Sequence, residues 1–156
     1  MTRTILGHSK DGHHTATVSR SVTIGAPQAT VWKEIGNIAG LADWVVDVKK
    51  VEYLSGIKQG IGASREILFA DGGKVVEYVV GWKSGEYLSY IATSGLPLDG
   101  YHATLSVLPK GRGVQVTWTS FLISCGSDKK QFEEFLEFIE SFYERSLDNL
   151  KTNLEK

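Results

Sequence analysis

From residue 15 to residue 24, Ala16, Val18, Val22 and Ile24 alternate with Thr17, Ser19, Ser21 and Thr23, the period-2 signature of a half-buried strand. Ala26-Pro27 follows, and proline suits the first position of a helix because its missing N–H has no intrahelical partner there. The spacing predicts a helix through Val31, Trp32 and Ile35. Gly36-Asn37 and Gly40 then interrupt the chain, and residues 38–44 read as a second short helix or helical turn. Six further β-like runs cover residues 45–54, 63–69, 74–82, 87–93, 101–108 and 114–124, each bounded by turn residues. After Asp128 the period changes. Phe132, Phe135, Leu136, Ile139, Phe142, Tyr143, Leu147, Leu150 and Leu154 recur at helical spacing with Lys and Glu between them, and Ser127 or Asp128 is placed to cap that helix.

The separators are too short for parallel crossovers, so successive strands are antiparallel neighbours in a meander. One face of the C-terminal helix is too apolar to lie free, and the concave face of the sheet is the only large surface available to cover it. The expected fold is therefore α+β of the helix-grip kind: a seven-stranded curved antiparallel sheet around a long C-terminal helix, with two short helices after the first strand. Residues 1–13 are expected to be a flexible leader and residues 14–156 a single domain.

Composition narrows the function. Seventeen Lys and Arg stand against eighteen Asp and Glu, so the basic excess that phosphate neutralisation requires is missing and nucleic acid is not an expected partner. Cys125 is the only cysteine, which excludes an intrachain disulfide and a cysteine-based metal site. Residues 1–14 are polar and resemble neither a signal peptide nor an anchor, so a cytoplasmic protein without stable membrane insertion is expected. His8, His13 and His14 in this stretch receive no ligand role. The phosphate-loop, zincin and nucleophile-elbow motifs are missing; no metal and no cofactor is expected.

Several stretches resemble the START-like or Bet v 1-like superfamily, whose bacterial members include polyketide cyclases/dehydrases. They are Ile24-Gly25-Ala26-Pro27 with Val31-Trp32, Leu41-Ala42-Asp43-Trp44, Ile61-Gly62-Ala63-Ser64-Arg65, Leu108-Pro109, Gly113 and Val116-Thr117-Trp118. A narrower likeness is to the branch that includes plant lachrymatory-factor synthase. It rests on Arg65, Asp71-Gly72, Glu77, Leu88-Ser89-Tyr90 and Tyr101-His102-Ala103-Thr104. The resemblance implies a pocket in which Arg65, Glu77, Tyr90 and Tyr101 carry the chemistry.

The residues themselves leave two arrangements open for Arg65 and Glu77, which stand on consecutive strands: a solvent-facing cross-strand bridge, or an internal pair able to move a proton. Strict alternation sets Glu77 with Val75 and Val79, opposite the more apolar Val76, Tyr78, Val80 and Trp82, and so points it outward. Arg65 shares a face with Ala63, Ile67 and Phe69, and an arginine on an apolar face needs a partner. Glu77 is the nearest acid in a suitable strand, with Glu66 as the alternative; the resemblance favours the internal pair.

Tyr90 and Tyr101 are candidates to orient a ligand carbonyl or hydroxyl. Trp44, Phe69, Trp118, Phe121, Phe135, Ile139 and Phe142 are candidates for an apolar wall, and residues 95–100 for a loop over the cavity mouth. The expected function is binding of a small, largely apolar molecule with cofactor-free cyclisation, dehydration or isomerisation. The alternative is a non-catalytic carrier of a hydrophobic or lipid ligand; the sequence suits a monomer and a homodimer equally.

Overall fold

In the computed structural model, which describes residues 5–8 and 12–156, eight strands form one antiparallel sheet. They are β1 (Ile5–His8), β2 (His14–Ile24), β3 (Val48–Tyr53), β4 (Ser64–Phe69), β5 (Lys74–Lys83), β6 (Tyr87–Ser94), β7 (Leu98–Lys110) and β8 (Gly113–Ser124). Helix α1 (Gln28–Ile35) and a 3₁₀ turn at Leu41–Asp43 follow β2, and the long helix α2 (Lys129–Leu154) closes the chain. The sheet order is β1-β2-β8-β7-β6-β5-β4-β3. Six strands run as the expected meander, and β2 returns to pair with the last of them from Thr15 opposite Ile123 to Ile24 opposite Val114.

The seven expected strands are present as β2 to β8, and an eighth joins them at the edge of the sheet. Ile5–His8 pairs with residues 14–17 of β2, because the free edge of β2 is a row of unpaired backbone groups that even a four-residue extended segment satisfies. The remainder of the expected leader before Gly12 lies outside the described residues. His14, which opens β2, is buried and donates its backbone N–H to Ser124 Oγ at 2.8 Å. The neighbouring His13 Nε2 lies 2.7 Å from Asp99 Oδ2.

Pro27 stands one position before α1, with φ of −62° and ψ of 148°. Asp128 caps α2, its Oδ1 accepting the Gln131 N–H at 3.1 Å. Asp128→Ala is expected to cost about 1 kcal/mol, measurable in urea unfolding; an unchanged midpoint would show that the cap is not needed. The helix buries Phe132, Leu136, Ile139, Phe142, Tyr143, Leu147 and Leu150 against the concave face. Arg20 of β2 holds Glu140 from the flank at 2.8 Å.

A bulge in β5 matters for the site. The register with β6 shifts between Val79, opposite Tyr90, and Gly81, opposite Ser89. The extra residue turns Trp82 onto the same face as Val79 and Glu77, opposite Leu88 and edge-on to Trp32 of α1 at 5.3 Å. The convex face carries hydroxyl pairs instead of a core, Ser19 with Thr119 at 2.9 Å and Ser89 with Thr104 at 2.8 Å.

Candidate functional site

Arg65 on β4 lies directly opposite Glu77 on β5, because the hairpin between them turns tightly at residues 70–73, where Asp71 Oδ1 accepts the Gly73 N–H at 2.8 Å. Both side chains point to the concave side and are 4% and 6% exposed. Two guanidinium N–H groups, Nε at 3.0 Å and Nη2 at 2.7 Å, converge on Glu77 Oε1. Nη1 donates to the Ile38 carbonyl at 2.8 Å, and the guanidinium lies over the Tyr90 ring at 5.0 Å. Glu66, the alternative acid, sits on the opposite face beside Lys74.

Hydrophobicity alone misplaces Glu77 because strict alternation sets Trp82 on the face opposite to it. The bulge brings Trp82 to the inner face, and the residues left outside include Tyr78 and Val80, 40% and 41% exposed. Glu77 Oε2 makes no hydrogen bond among the described residues. Burial pushes the Glu77 carboxyl above the usual glutamate range, and the Arg65 guanidinium offsets only part of that rise.

The tyrosines form a second polar group beside the pair. Tyr90 Oη accepts the Trp118 indole N–H at 3.0 Å, which leaves its own proton for donation. The Tyr101 and Tyr143 hydroxyls are hydrogen bonded to each other. Burial raises all three phenols, with nearby Glu77 raising them further. They are therefore neutral donors at physiological pH and not bases.

These groups floor a cavity of about 420 Å³ between sheet and helix. Arg65, Glu77, Tyr90, Tyr101 and Trp118 supply its polar end, and Phe69, Phe135, Ile139 and Phe142 its walls. Gly95, Leu96 and Pro97 border the mouth; the expected loop is shorter than six residues because Leu98 already belongs to β7.

Two expected wall residues are misplaced. Phe121 is 46% exposed on the convex face, opposite His102 and Thr17. It differs in parity from Trp118 on the same strand, so both cannot face the cavity. Trp44 is buried but does not line the cavity; it stands behind Trp118 at 5.5 Å. Sequence reasoning missed Tyr143 and Phe138. Tyr143 was visible only as one more apolar helix position, and Phe138, 51% exposed, lies off the apolar stripe yet covers the mouth beside Phe142 at 5.8 Å. Among the described residues no cluster of His, Cys, Asp and Glu is placed to hold a metal, and no helix is long and apolar enough to cross a membrane.

Residues 15–155 match the model of a family described as polyketide cyclase / dehydrase and lipid transport. Among solved structures, the protein XoxI from Bacillus cereus is 22% identical, with a TM-score of 0.75 over 88% of this chain and 94% of that one. A putative uncharacterized protein from Bacillus thuringiensis is 21% identical, with a TM-score of 0.74 over 90% and 99%. A protein from Thermobifida fusca is 25% identical, with a TM-score of 0.71 over 86% and 90%. Comparison with curated proteins gives no match.

Proposed function

The chain belongs to the polyketide cyclase / dehydrase and lipid transport family, and from that premise we propose that it binds a small, largely apolar organic molecule in the cavity and catalyses cofactor-free proton transfer on it. The observation that carries this reading is the Glu77 carboxyl. It lines the cavity, is buried, is fixed through Oε1 by Arg65, and makes no hydrogen bond through Oε2 among the described residues. Arg–carboxylate pairs are frequently bidentate; here both Arg65 bonds fall on one oxygen, which leaves the other for a ligand.

In this scheme Oε2 takes a proton from a carbon or hydroxyl activated by a neighbouring carbonyl. The charge that develops on the carbonyl oxygen is met by the phenol protons of Tyr90 and Tyr101 and by the positive field of Arg65. The protonated Glu77 then returns its proton to another carbon, which is isomerisation, or to a departing hydroxyl, which is dehydration. Where the carbanion first attacks a second carbonyl of the same molecule, the proton goes to the new alkoxide and the result is cyclisation. Burial raises the Glu77 pKa above the usual glutamate range, which makes its carboxylate a stronger base than an exposed one. The likeness of Arg65, Glu77, Tyr90 and Tyr101 to the lachrymatory-factor synthase branch supports the same division of roles.

The test begins with native mass spectrometry of protein purified without denaturation, to identify whatever compound it retains. That compound is then incubated with the wild type and with Glu77→Gln. Turnover is expected to fall at least about 100-fold in the variant with binding preserved, since Gln keeps an oxygen to accept both Arg65 bonds. A compound that binds the wild type and emerges unchanged would favour the carrier reading.

A further inference from the structure

A buried arginine in an apolar cavity looks like an anchor for a ligand carboxylate, as in a fatty-acid site. The hydrogen bonds at this one point the other way. Arg65 spends Nε and Nη2 on Glu77 and Nη1 on the Ile38 carbonyl, and turns one face to the Tyr90 ring. Its charge is already matched by the carboxylate it holds. Among the described residues no lysine or histidine lines the cavity, whereas Asp47 and Asp71 stand at its mouth.

We propose that the cavity selects uncharged ligands bearing a hydroxyl or carbonyl group and rejects carboxylates, with Glu77 as the residue that sets this selectivity. The inference rests on the proposed use of the cavity as the ligand site. Asp47 and Asp71 are solvent-exposed, and water and salt screen their effect on an approaching anion. Glu77 acts at the polar end, where screening is weak and an unpaired like charge is costly. A hydroxyl can donate to Oε2 and accept from Tyr90 or Tyr101. A carboxylate there meets the negative charge of Glu77 and can lodge only by driving a proton onto it.

Isothermal titration calorimetry at a pH near 8 with shape-matched probe pairs, 2-naphthol with 2-naphthoate and 1-octanol with octanoate, tests this directly. In the wild type each alcohol is expected to bind at least about tenfold tighter than its carboxylate, a difference of about 1.4 kcal/mol. Part of that ratio reflects the cost of desolvating any anion, so Glu77→Gln is the deciding variant: the ratio is expected to shrink severalfold through tighter carboxylate binding. Carboxylates that bind the wild type as well as the alcohols, or a ratio that Glu77→Gln leaves unchanged, would overturn the selectivity while leaving the cavity as a ligand site. Failure of all four probes to bind would overturn the cavity reading itself, and the selectivity with it.

Discussion

Arg65→Met is expected to lower the stability of the fold by about 3–5 kcal/mol at neutral pH, the range for removing one partner of a buried ion pair. Arg65 and Glu77 side chains are 5% and 8% exposed, so neither is relieved by water when the other is lost. A domain of this size has a total stability of about 5–15 kcal/mol, and the variant stands near the limit of folding. The pH dependence separates this account from a packing defect. In the wild type the folded Glu77 value is already raised above 4.5 by burial. Its favourable contribution is therefore complete below the unfolded value and declines as pH rises through the folded one. Removing Arg65 takes away the cause that lowers it, so the folded value rises further and the decline extends to higher pH. The loss in urea unfolding is therefore expected to be larger at a pH near 8 than near 5. Adding Glu77→Leu should recover much of it, because no charge is then left unpaired. A loss under about 1 kcal/mol, as for a surface bridge, or one that is the same at both pH values, would contradict the arrangement.

Gly95→Ala is the second substitution expected to have a large effect. Gly95 has φ of +98°, and a Cβ placed on it would stand 1.9 Å from the Lys74 carbonyl oxygen and 2.9 Å from Val75 Cα. Both contacts are backbone atoms of β5, so no side chain can swing aside. The cost is expected to be about 1–3 kcal/mol from the strained conformation with a further about 1–3 kcal/mol from overpacking. Because Leu96 and Pro97 follow directly at the mouth, probe binding should weaken as well. Gly72 is the control: φ is +91° but nothing lies within 4 Å of its Cβ position, so Gly72→Ala carries the conformational cost alone. Equal losses in the two variants would show that the approach of the β6–β7 loop to β5 is not tight.

The sheet and the long helix were legible because their signals are local. Alternation from Thr15 to Ile24 and helical spacing from Phe132 to Leu154 are properties of neighbouring residues. The edge strand at Ile5–His8 carries no such signal; it exists because β2 offers it an edge. The internal position of Arg65 was readable from the apolar residues that share its face. Glu77 was not readable from alternation, because one bulged residue between Val79 and Trp82 reverses the face of everything after it. Phe121 is a different case: alternation with Trp118 already set it outside, and its size suggested otherwise. The Tyr101–Tyr143 contact joins residues 42 positions apart, and only the docking of α2 across the concave face of the sheet brings them together.

The central claim is that a small, largely apolar molecule occupies the cavity with its polar group at Glu77. Methyl NMR of the wild-type protein with 2-naphthol addresses it most directly, since Ile67, Val75 and Ile139 all line the cavity. Intermolecular contacts from the probe ring to the Ile139 and Val75 methyl groups are expected, with shifts at Glu77 and Tyr90. Saturable binding that perturbs only the convex face around Tyr78 and Phe121, leaving Ile67, Val75 and Ile139 unmoved, would contradict it.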